Sequence, residues 1–223
     1  MGVISIENIS RLYWLGRYSE RVYTTIRAFH ARYDRMIDTD LSDYDDYCRR
    51  QDIPNIYTSR EDFLRRYSFD ASDPNSIHAN LLRAYDNAIV LREEIGSETL
   101  SYVQLAVYAM EAGEASSAPL VAMQRVIDNI LAFWGIADDS IDDDKVRRII
   151  KVGKRVERID LYARLEIKDS EIRRELRRLN KRLEQNVMRH DFSKLAHLNY
   201  LATLHPVDYA GVISDIETLV DCQ

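Results

Sequence analysis

Glycine and proline are scarce in this chain, with seven and four residues among 223. So few turn formers exclude a fold of many closely turned strands. They leave room for long helices, which the runs rich in alanine, leucine, arginine and glutamate favour. Cysteine is scarcer still: Cys48 and Cys222 lie far apart, so no disulfide framework is expected and a reducing compartment is the natural setting. Positive charge is not in excess either. The formal net charge of -6 argues against a sequence-independent nucleic-acid binder, which needs a concentrated positive field to displace counterions from phosphates. No uninterrupted apolar run approaches the roughly 20 residues of a bilayer span, and the opening MGVISI lacks the basic start of a signal peptide. A cytoplasmic protein that uses neither membrane nor nucleic acid is the expectation. What the chain does have, 46% hydrophobic and 30% charged residues, is an ordinary globular balance.

The pattern along the chain is that of an all-α protein. Leu12, Leu15, Val22, Ile26 and Phe29 recur at three- and four-residue steps, which predicts a first helix from Ser5 or Asn8 to about Met36. From 38 to 73 acidic and aromatic residues break the period, and this stretch reads as an irregular excursion holding at most a short helix after Ser59. A second long helix is expected with Asp73 as N-cap and Pro74 in its first turn, ended or kinked by Gly96. A third follows, capped by Ser97. A fourth starts near Pro119, with Gly135 past its end. Segments at about 141–167, 170–188 and 206–220 complete the series. Six or seven helices with short joints predict a single-domain antiparallel bundle over residues 1–223.

The chain also repeats itself. WLGRYSERVYTTIR, Trp14 to Arg27, aligns without gaps onto KVGKRVERIDLYAR, Lys151 to Arg164. Gly16 meets Gly153, Glu20 meets Glu157 and Arg21 meets Arg158. Glycine within a helix costs about 0.5 to 1 kcal/mol relative to alanine, so its presence in both copies points to close approach of another backbone. Arg17, Glu20, Arg21 and Thr24 share one helix face, as do Lys154, Glu157, Arg158 and Leu161. Each such face falls roughly opposite the apolar stripe of its own helix. If the two copies are equivalent, both glycines lie at a close helix approach, the Glu-Arg pairs converge, and Tyr13, Trp14 and Tyr18 wall the region where they meet.

RLYWLGRYSER, the segment NAIVLREEIGSETL from Asn87 to Leu100, and VGKRVERIDLYARL together resemble the bacterial alpha-E proteins. The resemblance runs from about Asn8 to about Leu165. It implies an all-α fold encoded beside circularly permuted ATP-grasp ligases and transglutaminase-like proteins, in settings of peptide synthesis or modification. It marks Asn8, Tyr13, Trp14, Gly16, Arg17, Glu20 and Arg21 in the first motif, Asn87, Arg92, Glu93, Ser97 and Glu98 in the middle, and Gly153, Glu157, Arg158 and Arg164 in the last. Tyr85, Asp86, Tyr102 and Val103 depart from the middle motif, where an Arg-Glu pair and a Trp-Glu pair are usual.

Three functional readings follow. In the first, the chain is an accessory or substrate-binding subunit of an ATP-grasp ligase in amide-bond formation. Arg17, Arg21, Arg158 and Arg92 then hold a carboxylate or acyl-phosphate, while Glu20, Glu157 and Glu93 orient those guanidinium groups or receive an amine. In the second, Glu20 and Glu157 are an acid/base pair and the chain is an enzyme. In the third, the motifs form a buried salt-bridge lattice that fixes helix register. Other signals are weaker. Asp138, Asp139 and Asp142 match a magnesium-binding Asp-Asp-x-x-Asp pattern, but they follow Gly135 and precede a helical period, where they read better as caps favoured by the N-terminal dipole of the next helix. The five histidines show no metal-ligand spacing, and no phosphate loop or nucleophile motif appears, so neither metal nor cofactor is expected. The acidic run 38–46 could attract a divalent cation but reads better as a solvated loop. IRRELRRLNKRLEQ, residues 172–185, reads as an amphipathic helix, with an acidic partner's docking face as the sharper alternative.

Overall fold

The structure is a computed structural model and describes residues 4–38, 43–116, 118–185 and 188–221, with residues 30–38 and 43 described by backbone alone. Among the described residues it is all-helical, with eleven helices and a single isolated β-bridge between His190 and Val220. The helices are α1 (Ile6–Asp38), α2 (Asp43–Gln51), α3 (Arg60–Phe69), α4 (Ile77–Val90), α5 (Arg92–Ile95), α6 (Ser97–Glu114), α7 (Pro119–Ser140), α8 (Asp144–Arg164), α9 (Asp169–Leu183), α10 (Phe192–Leu201) and α11 (Tyr209–Glu217). The chain divides into two compact units: a split unit of residues 1–20 with 143–223, and a middle unit of 21–142. The division falls within the continuous helix α1, between Glu20 and Arg21.

In the split unit α8 packs against α9 and α11, and α10 packs against α11. Its apolar core joins Leu12 and Leu15 of α1, Ile149, Val152, Val156 and Ile159 of α8, and Ile172, Leu176 and Leu179 of α9. The last three confirm α9 as an amphipathic helix with one buried stripe. Asp143 caps α8, its side chain accepting from the Lys145 amide at 2.8 Å. Asp191 caps α10 in the same way, accepting from Ser193 and Lys194. That helix lies between the sixth and last segments expected from the sequence.

The middle unit is built on the long α6–α7 hairpin, with α4 and α3 packed on α6. The stretch 38–73, expected to be irregular apart from a short helix, holds two helices. The expected one, α3, is capped by Ser59, whose hydroxyl accepts from the Asp62 amide at 3.1 Å. The other, α2, has no apolar period; what it buries is Tyr47 and Cys48, within an aromatic cluster. Phe63 stacks on Tyr67 at 5.1 Å and meets Tyr57 edge-on at 5.0 Å, and the Tyr47 and Tyr67 hydroxyls lie 3.1 Å apart.

Three boundaries differ from the sequence expectation. The N-cap of α4 is Ser76, three residues beyond Asp73, which instead closes a local turn on the Asn75 amide. The N-cap of α6 is Gly96 rather than Ser97; its φ of 80° is left-handed backbone that glycine adopts without strain. Gly135 does not stop α7, which continues to Ser140; the backbone stays helical there, and a Cβ at Gly135 would meet open space. By length and composition α7 is apolar enough to cross a membrane, and a third of its most apolar window is buried inside the protein.

Candidate functional site

The repeated glycines set the geometry of the split unit. A Cβ on Gly16 would overlap the Ile150 carbonyl oxygen and crowd the Lys154 amide at 3.1 Å. A Cβ on Gly153 would overlap the Tyr13 carbonyl oxygen and crowd the Arg17 amide at 3.2 Å. Tyr13 and Ile150 are repeat equivalents, as are Arg17 and Lys154, so the two contacts mirror each other. Backbone meets backbone at both points, which only residues without a side chain permit. Contacts advance together along both helices, from Gly16 and Gly153 to Glu20 and Arg158. This helix pair therefore runs in the same sense and in register, which an antiparallel bundle does not supply.

The charged faces are buried by the crossing. Arg158 Nε and Nη2 donate to Glu20 Oε1 and Oε2 at 2.5 and 2.9 Å, a two-pronged pair between helices. Arg17 Nε donates to Glu157 Oε2 at 2.6 Å, and its Nη2 lies 3.7 Å from Asp160 Oδ2. Glu20 and Glu157 expose no surface, and Arg17 exposes 7%. α1 and α8 are therefore buried on their charged sides as well as on their apolar stripes. Above Arg17, the Trp14 ring sits 5.0 Å from the guanidinium carbon and the Tyr13 ring 5.9 Å, while Trp14 stacks on Tyr18 at 5.3 Å. The aromatic wall predicted from the first motif is present.

Two carboxylates that the motif reading passed over extend the network. Glu175 of α9 is fully buried and receives Arg155 at 2.5 Å and Arg178 at 2.8 Å, with Arg158 at 3.9 Å. Asp160 binds Arg164 Nε at 2.8 Å, and Arg164 reaches on to Glu217. A sequence signal for Glu175 existed: it occupies the apolar stripe between Ile172 and Leu179, where a lone carboxylate demands a partner.

Electrostatics follow from this crowding. Burial alone would lower the pKa of Arg17, but Glu157, Tyr13 and Asp160 outweigh it and raise it, so the guanidinium stays charged. Arg158 is raised in the same way by Glu20. Burial would raise Glu175, yet Arg155, Arg158 and Arg178 hold its carboxyl below the usual glutamate range. Asp160 goes the other way, pushed up by burial and by Glu157 against the pull of Arg164 and Arg17.

Of the residues singled out by sequence, Tyr13, Trp14, Arg17, Glu20, Glu157 and Arg158 are gathered here. Arg21 opens the middle unit, where its charge acts on buried Tyr67. Asn87, Arg92 and Glu93 also belong to the middle unit. Asn87 donates to the Arg83 carbonyl at 2.9 Å, Arg92 is exposed and donates to Ser97 Oγ at 3.0 Å, and Glu93 is exposed. In the acidic run, Asp45 receives Asn55, and Asp46 binds Arg49 and Arg50; the side chains at 38–43 lie outside the described residues. Among the described residues no three His, Cys, Asp or Glu side chains gather to hold a metal.

Fold and site together define an all-α protein organised on two crossed, repeat-related helices whose Glu and Arg side chains pair across the crossing. The chain belongs to the Alpha-E family, a predicted alpha-helical domain with a conserved ER motif, which it matches over residues 8–188. The Glu-Arg dipeptide occurs twice in the chain, at 20–21 and 157–158. No curated protein and no solved structure matches it.

Proposed function

We propose that Glu20 and Glu157 of the repeated Glu-Arg motifs, paired with Arg158 and Arg17, form an internal ion lattice fixing the α1–α8 crossing, and that the protein is a non-catalytic accessory subunit of an ATP-grasp ligase in amide-bond formation. The observation that carries the first half is the complete burial of Glu20 and Glu157, each engaged by an arginine of the opposite helix. A general acid or base must reach a substrate proton, whereas these carboxylates are buried against guanidinium groups. Arg17 and Arg158 are already satisfied by protein carboxylates, so binding of a ligand carboxylate would first have to break buried ion pairs.

The accessory role, with an ATP-grasp ligase and a transglutaminase-like protein as partners in a cytoplasmic setting, rests on the resemblance to alpha-E proteins. It is tested by mixing the chain with such a ligase and following ATP-dependent amide formation. A Glu20→Met/Arg158→Met variant removes one ion pair as a unit, an exchange that buried pairs often tolerate. The expected result is that the chain binds the ligase and raises turnover, and that the folded double variant does so as well. Loss of turnover in a folded, ligase-bound double variant would overturn the lattice reading. Absence of any binding to the ligase would overturn the accessory role.

A further inference from the structure

The middle unit contains a cavity of about 550 Å³ that the Glu-Arg motifs do not touch. Its floor is apolar, formed by Phe29, Leu64, Phe69 and Met123 from α1, α3 and α7. Its mouth carries three charged groups: Glu61 and Arg65 of α3, and Glu114 at the end of α6. All three are exposed, and none makes a hydrogen bond or ion pair among the described residues. Their neighbours behave differently. On the same short helix Asp62 binds Arg66 at 3.6 Å, and Arg66 binds Asp70 at 3.4 Å. Glu61 and Arg65 have the spacing and order, glutamate four residues before the cation, that most favour a helical ion pair. They stay apart and border the cavity instead.

A volume in the range of small-ligand pockets, an apolar floor and a few convergent charges are the usual make-up of a binding site. The charges select the ligand. A lone guanidinium suits one carboxylate, and two unpaired glutamates suit an ammonium group. Between them the floor takes apolar side chains. From this arrangement we infer that the cavity binds a zwitterion with apolar side chains, of the size of an apolar dipeptide, its carboxylate on Arg65 and its amino group on Glu61 and Glu114. The inference is independent of the ligase reading, since it uses another unit and none of the motif residues.

Calorimetric titration of the full chain with leucyl-phenylalanine, and with its N-acetyl, C-amide derivative, tests it. The free dipeptide is expected to bind about tenfold or more tightly than the blocked one, since charge-assisted hydrogen bonds at both ends are lost on blocking. Arg65→Gln should weaken the free dipeptide about tenfold and leave the C-amide form unchanged. Leu64→Trp, which fills the floor, should abolish binding, with a thermal melt confirming that each variant is folded. No heat from either peptide at millimolar concentration, equal affinity for free and blocked forms, or unchanged affinity in folded Arg65→Gln would each overturn the inference.

Discussion

The two units solve the problem of a polar interior in opposite ways. In the split unit the buried carboxylates Glu20, Glu157, Asp160 and Glu175 all meet arginines. In the middle unit the buried carboxylate Asp73 is held by neutral groups, the Tyr57 hydroxyl at 2.6 Å and the Asn75 amide at 2.9 Å. That unit closes its core with aromatic edges and faces rather than with charge. A charge lattice is directional and punishes the loss of a single member; an aromatic cluster spreads its stabilisation over area and degrades gradually. The two units should therefore fail differently when altered.

The sharpest way to break the contrast is to orphan one charge of the lattice. Glu157→Gln should leave Arg17 buried without its main counter-ion and cost about 3 to 5 kcal/mol, read as a fall in the urea midpoint. A loss below about 1 kcal/mol would place this pair among surface-like ion pairs. Next in size, Gly16→Ala and Gly153→Ala each thrust a methyl into a carbonyl of the opposite helix, and each should cost about 3 kcal/mol. Their effects should be similar because the contacts mirror each other. A tolerated Gly153→Ala beside a damaging Gly16→Ala would break that symmetry.

Acid tests the lattice through Glu175. Its carboxyl is held low in the folded state, so its contribution is present in full above the ordinary glutamate value of about 4.3 and fades as pH falls through the depressed folded value. Asp160, raised by burial, acts in the opposite direction and gains stability as pH falls. Glu175→Gln should therefore be clearly destabilised at pH 7 and approach the wild type below pH 4. A gap that stays constant across that range would mean the glutamate's charge is not what matters. In the middle unit, Asp73→Asn should cost only about 1.5 to 3 kcal/mol, the scale of one hydrogen bond to a charged group. Smallest of all, Arg92→Ala removes an exposed side chain and should shift the melting temperature by less than about 2 °C.

What the sequence disclosed and what it hid have physical reasons. The repeat disclosed the helix crossing, because a mid-helix glycine in both copies has few uses other than backbone contact. It also brought together Arg17, Glu20, Glu157 and Arg158. Burial of the charged faces was one of three readings and the pattern alone did not select it, since periodicity shows which side of a helix is apolar but not whether the other side is covered. The helix α2 was hidden because DYDDYCRRQ is stabilised by pairs such as Asp46 with Arg50 at 2.6 Å and by aromatic burial, neither of which leaves an apolar period. At Gly135 a residue that often ends helices simply sits on an open face. Glu175 was legible in principle, but its partners Arg155 and Arg158 come from another helix, which no local pattern records.

The crossing at Gly16 and Gly153 has the local symmetry of a two-subunit interface, with both halves supplied by one polypeptide. A contact between separate copies would come apart on dilution; this one depends only on folding and is indifferent to protein concentration. Being encoded twice, its two sides are also free to differ. In a symmetric homodimer every substitution at the interface appears on both faces at once. Here Arg17 stands where the other copy has Lys154, and Tyr18 where it has Arg155. One side stacks Tyr18 on Trp14 while the other sends Arg155 to Glu175, a division of labour that identical subunits cannot reach.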